Sequence, residues 1–221
     1  MRIPDESNGA IGREFITLWP EIIAAILLTL QSGWTVAGVT AAHSAAGEVE
    51  ITERLRDGMR KTLNAGRLPW SKSFLIAPGT ESRSTLAVAT PDGRTDIPVY
   101  LIEVFLLYCE HDPHAIIECK RLDGSDTHLC REYVVEGVDR FRSGKYAENH
   151  AAGFMAGYLI RGDAPEAATG VNAYLSRVAR IPEHLSPSDV VEEPAFWRSS
   201  HARSVPRPPI NLHHALFELF P

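Results

Sequence analysis

Apolar residues recur at steps of four from Glu48 to Leu63, where Ile51, Leu55, Met59 and Leu63 form one stripe, and this spacing predicts a helix. Asn64-Ala65-Gly66 supplies its stop. Upstream, Phe15 to Leu30 is the most hydrophobic stretch and contains Ile22-Ile23-Ala24-Ala25-Ile26-Leu27-Leu28. A helix apolar all round must be covered by another part of the fold or by a second copy. Trp70 to Val88 holds one or two strands around Pro78-Gly79. Thr95 to Leu107 is rich in β-branched and apolar residues, Tyr108 to His114 is polar with Asp112-Pro113, and Ala115 to Leu122 resumes as a strand. That order predicts a β-hairpin. Asp123 to Asp126 reads as a loop, 129 to 142 as a helix and Phe154 to Ile160 as a short strand. Tyr133, Gly137 and Phe141, four apart, read as a helix face packed on the sheet. Ala167 to Arg180 is a further helix with Val171, Tyr174, Leu175 and Val178 as its stripe. Beyond Ile181 prolines accumulate, yet Phe196-Trp197 and Ile210 to Phe217 carry large apolar groups, so this tail is expected to wrap back and add a strand.

The expected organisation is an apolar helical segment over 1–44 for packing or dimerisation, an α/β core over 45–181, and a Pro-rich extension over 182–221. With 221 residues, 44% hydrophobic and 23% charged, the chain is long enough to bury one α/β core. A net charge of −6 argues against non-specific coating of nucleic acid. The basic run Arg54, Arg56, Arg60, Lys61, Arg67 and Lys72 is interrupted only by Asp57, and such runs are mostly solvated helix faces. Cys109, Cys119 and Cys130 are odd in number and form no Cys-x-x-Cys pair, which suggests neither a disulfide framework nor a zinc site. The Phe15 to Leu30 segment falls short of the roughly 20 apolar residues of a membrane span. Arg2 and Arg13 are outweighed by Asp5, Glu6 and Glu14, unlike the basic start of a signal peptide. The expectation is a cytoplasmic protein with no membrane partner.

The candidate chemistry lies on the hairpin. Strand side chains alternate faces, so Glu118 and Lys120 point one way while Ile117 and Cys119 point the other. Folding back at the turn brings the beginning of the first strand, with Asp96, near the end of the second. Asp112 is the rival carboxylate but sits in the turn, at the opposite end of the second strand. Two carboxylates can hold a hard divalent cation, and an ammonium beside them can orient an attacking water. The plainer reading makes Glu118 and Lys120 ordinary edge charges of a strand leaving the core.

An ordered series of motifs extends this hairpin. The chain carries Glu48-Val49-Glu50-Ile51-Thr52 with Leu55, then Gly93-Arg94-Thr95-Asp96-Ile97, then Ile117-Glu118-Cys119-Lys120-Arg121-Leu122. Tyr133, Gly137, Arg140-Phe141, Gly144, Tyr146 and Gly153-Phe154-Met155-Ala156-Gly157-Tyr158 follow. Over roughly 45 to 160 the series resembles an uncharacterised bacterial branch of the PD-(D/E)XK nuclease superfamily, with Thr95 where the proline would stand. The resemblance implies a restriction-endonuclease-like core, a central mixed β-sheet flanked by helices. It implies Asp96 and Glu118 as metal-binding carboxylates, Lys120 as the catalytic lysine and the Cys119 carbonyl as a further metal ligand. A fourth acidic group comes from the first core helix in such proteins, here Glu48 at the start of the apolar stripe or, alternatively, Glu50. Arg94, Arg121, Arg140 and Lys145 are candidate contacts to nucleic acid, although Arg140, Arg142 and Lys145 equally suit the C-terminal end of a helix dipole. The implied activity is Mg²⁺- or Mn²⁺-dependent hydrolysis of phosphodiesters, most readily of DNA, by a homodimer in antiphage defence or restriction. The alternative is a nuclease fold that binds nucleic acid or a partner without cutting.

Overall fold

The computed structural model describes residues 17–40, 43, 45–79, 81–82, 93–108, 112–204 and 207–219. In chain order, helices α1 (Pro20–Ala37) and α2 (Glu48–Asn64) come first, followed by strands β1 (Phe74–Ile76), β2 (Glu81–Ser82), β3 (Gly93–Arg94) and β4 (Ile97–Leu101). A short helix α3 (Ile102–Tyr108) leads to β5 (Ala115–Asp123). Helix α4 (Thr127–Tyr133) runs through a π-helical turn (Val134–Val138) into α5 (Asp139–Arg142). Then come β6 (Ala152–Arg161), α6 (Ala164–Arg177), β7 (Ser186–Pro187), β8 (Phe196–His201) and β9 (Ile210–Glu218).

The architecture is α/β. A seven-stranded mixed sheet has the order β1-β4-β5-β6-β9-β8-β7, antiparallel at both flanks and parallel where β5, β6 and β9 meet. β2 and β3 pair separately. One apolar core joins α1 and α2 to the sheet face bearing Ile117 and Cys119; the other joins α4, the π turn, α5 and α6 to the face bearing Ile116 and Leu122. Being covered on both faces, β5 and β6 are buried nearly end to end, as parallel interior strands require.

The predicted stripe of α2 is the one that packs: Ile51, Leu55 and Met59 are fully buried. Helix α1 starts at Pro20, whose fixed φ suits the first helical position, and stops at Gly38 in the left-handed region. Its cover is intramolecular on one side. The α1 and α2 backbones meet at a glycine pair, where a Cβ on Gly58 would lie 2.1 Å from the Gly33 carbonyl oxygen. Trp34 stacks on Tyr158 and Phe217, with centroids 5.5 and 5.2 Å away, and Trp70 donates to Thr29 Oγ1 at 2.9 Å. By length and composition α1 also passes as a membrane span, but eight of its residues are buried here.

Two expectations are corrected. The predicted strand from Thr95 to Leu107 stops at Leu101. β5 begins opposite Val99, so residues after Leu101 have no ladder on that side, and Glu103, Leu106 and Leu107 favour the helix that forms. The predicted helix over 129 to 142 is interrupted by the π turn. The C-terminal segment wraps back into the sheet as expected, with β9 between β6 and β8. Of the strands expected between Trp70 and Val88, β1 and β2 form, and residues 83–88 fall outside the described ones.

Candidate active site

The site begins where the β4–β5 ladder ends. The last register pair is Ile97 with Ile117. Beyond it Asp96 leaves the strand, and its Oδ2 accepts the Cys119 N–H at 2.8 Å, where a main-chain carbonyl would otherwise stand. The N–H and C=O of an extended residue point to the same neighbour, so the Cys119 carbonyl opens on the same gap. Lys120 Nζ donates to that carbonyl at 2.9 Å.

Glu118 and Lys120 share a face, and their head groups meet at 3.0 Å. Glu118 is fully buried, and its Oε1 also accepts from Arg140 Nη1 at 2.7 Å. Its Oε2 is buried with no hydrogen-bond partner. Glu48, at the first turn of α2, receives Lys120 Nζ on Oε1 at 2.7 Å and the Arg121 N–H on Oε2 at 3.3 Å. Glu50 instead pairs with Arg54 at 2.9 Å on the exposed side of α2. Of the two helix glutamates, Glu48 alone therefore reaches the hairpin.

The electrostatics follow from burial and crowding. Burial, then the charge of Asp96, pushes the Glu118 carboxyl up to about 8, against the pull of Lys120 and Arg140. Burial likewise raises Asp96, with Lys120 and the Cys119 N–H opposing. Burial disfavours the Lys120 ammonium, but Glu118 and Glu48 outweigh it and hold the group above its ordinary value. Lys120 is consequently a cation here, suited to stabilising negative charge and unsuited to removing a proton.

The four predicted nucleic-acid contacts differ in placement. Arg94 is exposed, its Nε donating to the Gly79 carbonyl at 3.2 Å. Arg121 is half-buried on β5, and Lys145 is half-buried in the loop after α5. Arg140 turns inward to Glu118. Tyr146 completes its setting: the hydroxyl accepts from Arg140 Nη1 at 2.9 Å and donates to the Arg94 carbonyl at 2.6 Å, while the guanidinium lies 5.5 Å from the ring centroid. Sequence reasoning placed Tyr146 in the motif series without a role. Its only signal was position, six residues after Arg140 and past the Gly144 turn.

Among the described residues no three His, Cys, Asp or Glu side chains are spaced as a ready-made metal site. The donor chemistry nevertheless fits a hard cation. Glu118 Oε2 is buried without a partner, Asp96 Oδ1 has none among the described residues, and the Cys119 carbonyl opens beside them. Lys120 Nζ, between Glu48 and Glu118, now neutralises this cluster. A separate cavity of about 560 Å³, lined by Asp123, Ser125, Arg161, Glu166 and Thr169, shares no residue with it. Comparison with protein-family models, with curated proteins and with solved structures finds no match.

Proposed function

We propose that the chain is a metal-dependent nuclease with a restriction-endonuclease-like core, cutting phosphodiester bonds of DNA at the Asp96, Glu118 and Lys120 cluster. One observation carries the reading: Glu118 Oε2 is a buried carboxylate oxygen with no partner, beside a second carboxylate and an open carbonyl. Unpaired buried oxygens of this kind are costly to a fold and are kept where they bind something.

Asp96, Glu118 and the Cys119 carbonyl would hold Mg²⁺ or Mn²⁺, with Glu48 adding charge from α2. A divalent cation, when bound, supplies Lewis-acid polarisation of a phosphate oxygen. Lys120 contributes a fixed positive charge where negative charge gathers as a water oxygen bonds to phosphorus and the P–O bond to the leaving group breaks. That is stabilisation specific to the transition state. Arg94, which is exposed on β3, would take the flanking phosphate backbone. Arg140 serves Glu118 and leaves the substrate to others.

A second reading draws on the ammonium itself. Lys120 bridges Glu48 and Glu118 at 2.7 and 3.0 Å, the pattern of a site that has traded its metal for a lysine and only binds nucleic acid. Incubating plasmid, linear duplex, single-stranded DNA and RNA with Mg²⁺ or Mn²⁺, beside Lys120→Ala and an EDTA control, separates the two. Metal-dependent cutting lost in the variant supports the nuclease; metal-independent binding with no cutting on any substrate supports the second reading.

A further inference from the structure

A buried polar chain begins one residue before the π turn and returns one residue after it. Tyr133 Oη lies 2.8 Å from His214 Nδ1, His214 Nε2 lies 2.7 Å from Ser199 Oγ, and Ser199 Oγ lies 2.6 Å from His201 Nε2. His201 Nδ1 meets Glu183 Oε2 at 2.5 Å, and Arg180 donates to the same oxygen through Nε at 3.0 Å and Nη2 at 2.5 Å. Arg180 Nη1 is 2.8 Å from Asp139 Oδ1, an ion pair whose N–H direction does not make a hydrogen bond to that oxygen. Arg142 Nε stands 3.4 Å from Glu183 Oε1. Both Asp139 and Arg142, one turn apart on α5, are thus tied to the Arg180–Glu183 pair.

With each imidazole singly protonated, one arrangement of protons satisfies the four inner links. A carboxylate only accepts, so His201 donates from Nδ1 and accepts on Nε2 from the Ser199 hydroxyl. Ser199 then accepts from His214 Nε2–H, and His214 Nδ1 accepts from the Tyr133 hydroxyl. Tyr133, Ser199, His201 and His214 are all buried.

The ring encloses an element that needs support. A π turn carries one residue more than an α-turn, is intrinsically less stable and appears mostly as an isolated bulge. It also decides where α5 points, because one residue rotates everything after it by about 100°. Without the insertion the direction of Arg140 would turn by about that angle from Glu118. Gly137 lets the wide turn sit down on the sheet, since a Cβ there would lie 2.5 Å from Met155 Cε and 3.4 Å from Lys120 Cγ.

We propose that this ring is a positioning device for the active site: Ser199 and Glu183, remote from the carboxylates, hold the π turn so that Arg140 engages Glu118. The inference rests on reading the Asp96–Glu118–Lys120 cluster as the metal centre. Its test uses Ser199→Ala, Arg140→Gln and the double variant, each with two readouts. The first needs no metal: the NMR signal of the Arg140 guanidinium and the hydrogen exchange of amides 134–142. In Ser199→Ala the guanidinium signal is expected to be lost to exchange, and amides 134–142 to exchange about tenfold faster while those of β5 keep their protection. The second is calorimetric Mn²⁺ titration. Ser199→Ala should shift affinity in the same direction as Arg140→Gln, by up to about tenfold, and the double variant should match Arg140→Gln alone. An unchanged Arg140 signal in folded Ser199→Ala, or effects that multiply in the double variant, would overturn the proposal. Should Ser199→Ala fail to fold, Tyr133→Phe removes one hydroxyl from the same ring and is judged by the same readouts. If the wild-type protein binds no Mn²⁺, the metal reading fails, while the guanidinium signal still decides the ring.

Discussion

Two buried polar clusters meet at α5, and they are built on opposite terms. Around His201 and His214 each ring nitrogen has a partner. Around Glu118 three carboxylates share two cations, and one buried oxygen is left without a bond. The first cluster is what a folded chain keeps for its own stability, since a satisfied network in a low dielectric is strong and specific. The second leaves a buried carboxyl oxygen unsatisfied, and a bound cation would complete it. Burial alone would not tell them apart; the pairing of the histidines does, although Asp139 Oδ1 at the far end of the ring also lacks a hydrogen bond.

The largest effect that could break this contrast is on catalysis. Lys120→Ala should lower metal-dependent cleavage by roughly 100-fold or more while leaving the protein folded, as judged by plasmid cutting and circular dichroism. A fully active variant would reduce Glu118 and Lys120 to structural charges.

Next comes stability at neutral pH. Ser199→Ala leaves buried nitrogens of His201 and His214 without partners, and a loss of about 2 kcal/mol or more is expected in urea unfolding. Glu118→Gln is the counterpart. Its amide oxygen can still accept from Arg140 and Lys120, and its NH₂ takes the place of the unpartnered Oε2. The amide also escapes the penalty of burying a charged carboxylate, so stability at neutral pH should rise, while Mn²⁺ binding is lost.

The clusters should also differ in the sign of their pH dependence, measured as Tm in EDTA. The Glu118 carboxyl is raised from 4.5 to about 8. It binds its proton more tightly in the folded state, so its contribution is present below the unfolded value and is lost as pH climbs from about 4.5 to 8. The Glu183 carboxyl is lowered from 4.5 to about 2, with burial overcome by His201 and Arg180. Its contribution is present above the unfolded value and is lost as pH falls through that lower range. Burial also lowers His214 well below 6.5, which adds loss of stability on the acid side of 6.5. Each slope should approach roughly 1 kcal/mol per pH unit at its steepest. Glu118→Gln should flatten the upper slope and spare the lower one.

The smallest effect is Tyr133→Phe, which removes one donor from His214 and should cost about 1 kcal/mol in the same unfolding assay.

Much of the Glu118 cluster was legible in the sequence because its signals are local. Alternation on β5 put Glu118 and Lys120 on one face, and the turn after β4 brought Asp96 to Cys119. The stripe of α2 pointed to Glu48 over Glu50. The ring was not legible, because its members come from α4, β8, β9 and the segment before β7, and no period in the chain connects them. Ser199 and His201, two apart on a strand, share a face, which was the only hint. The pairing of Arg140 with Glu118 was not legible for a related reason. Basic residues at a helix end suggest a dipole or a phosphate, and the extra residue of the π turn that aims Arg140 at a buried glutamate has no hydrophobic signature. The Leu-rich run after Leu101 was read as strand because short apolar runs suit either element, and pairing decided otherwise.

The place of β9 in the sheet has a consequence for how the protein is born. On the ribosome, β5 and β6 emerge well before Ile210–Glu218, and until those residues clear the exit tunnel the outer edge of β6 has no neighbour. Pairing over so long a stretch of sequence is slow to find. The Tyr133 hydroxyl, which meets His214 on that late strand, lacks this partner until then. The interior of the sheet is therefore completed late, after β5, which carries Glu118 and Lys120, has already been made.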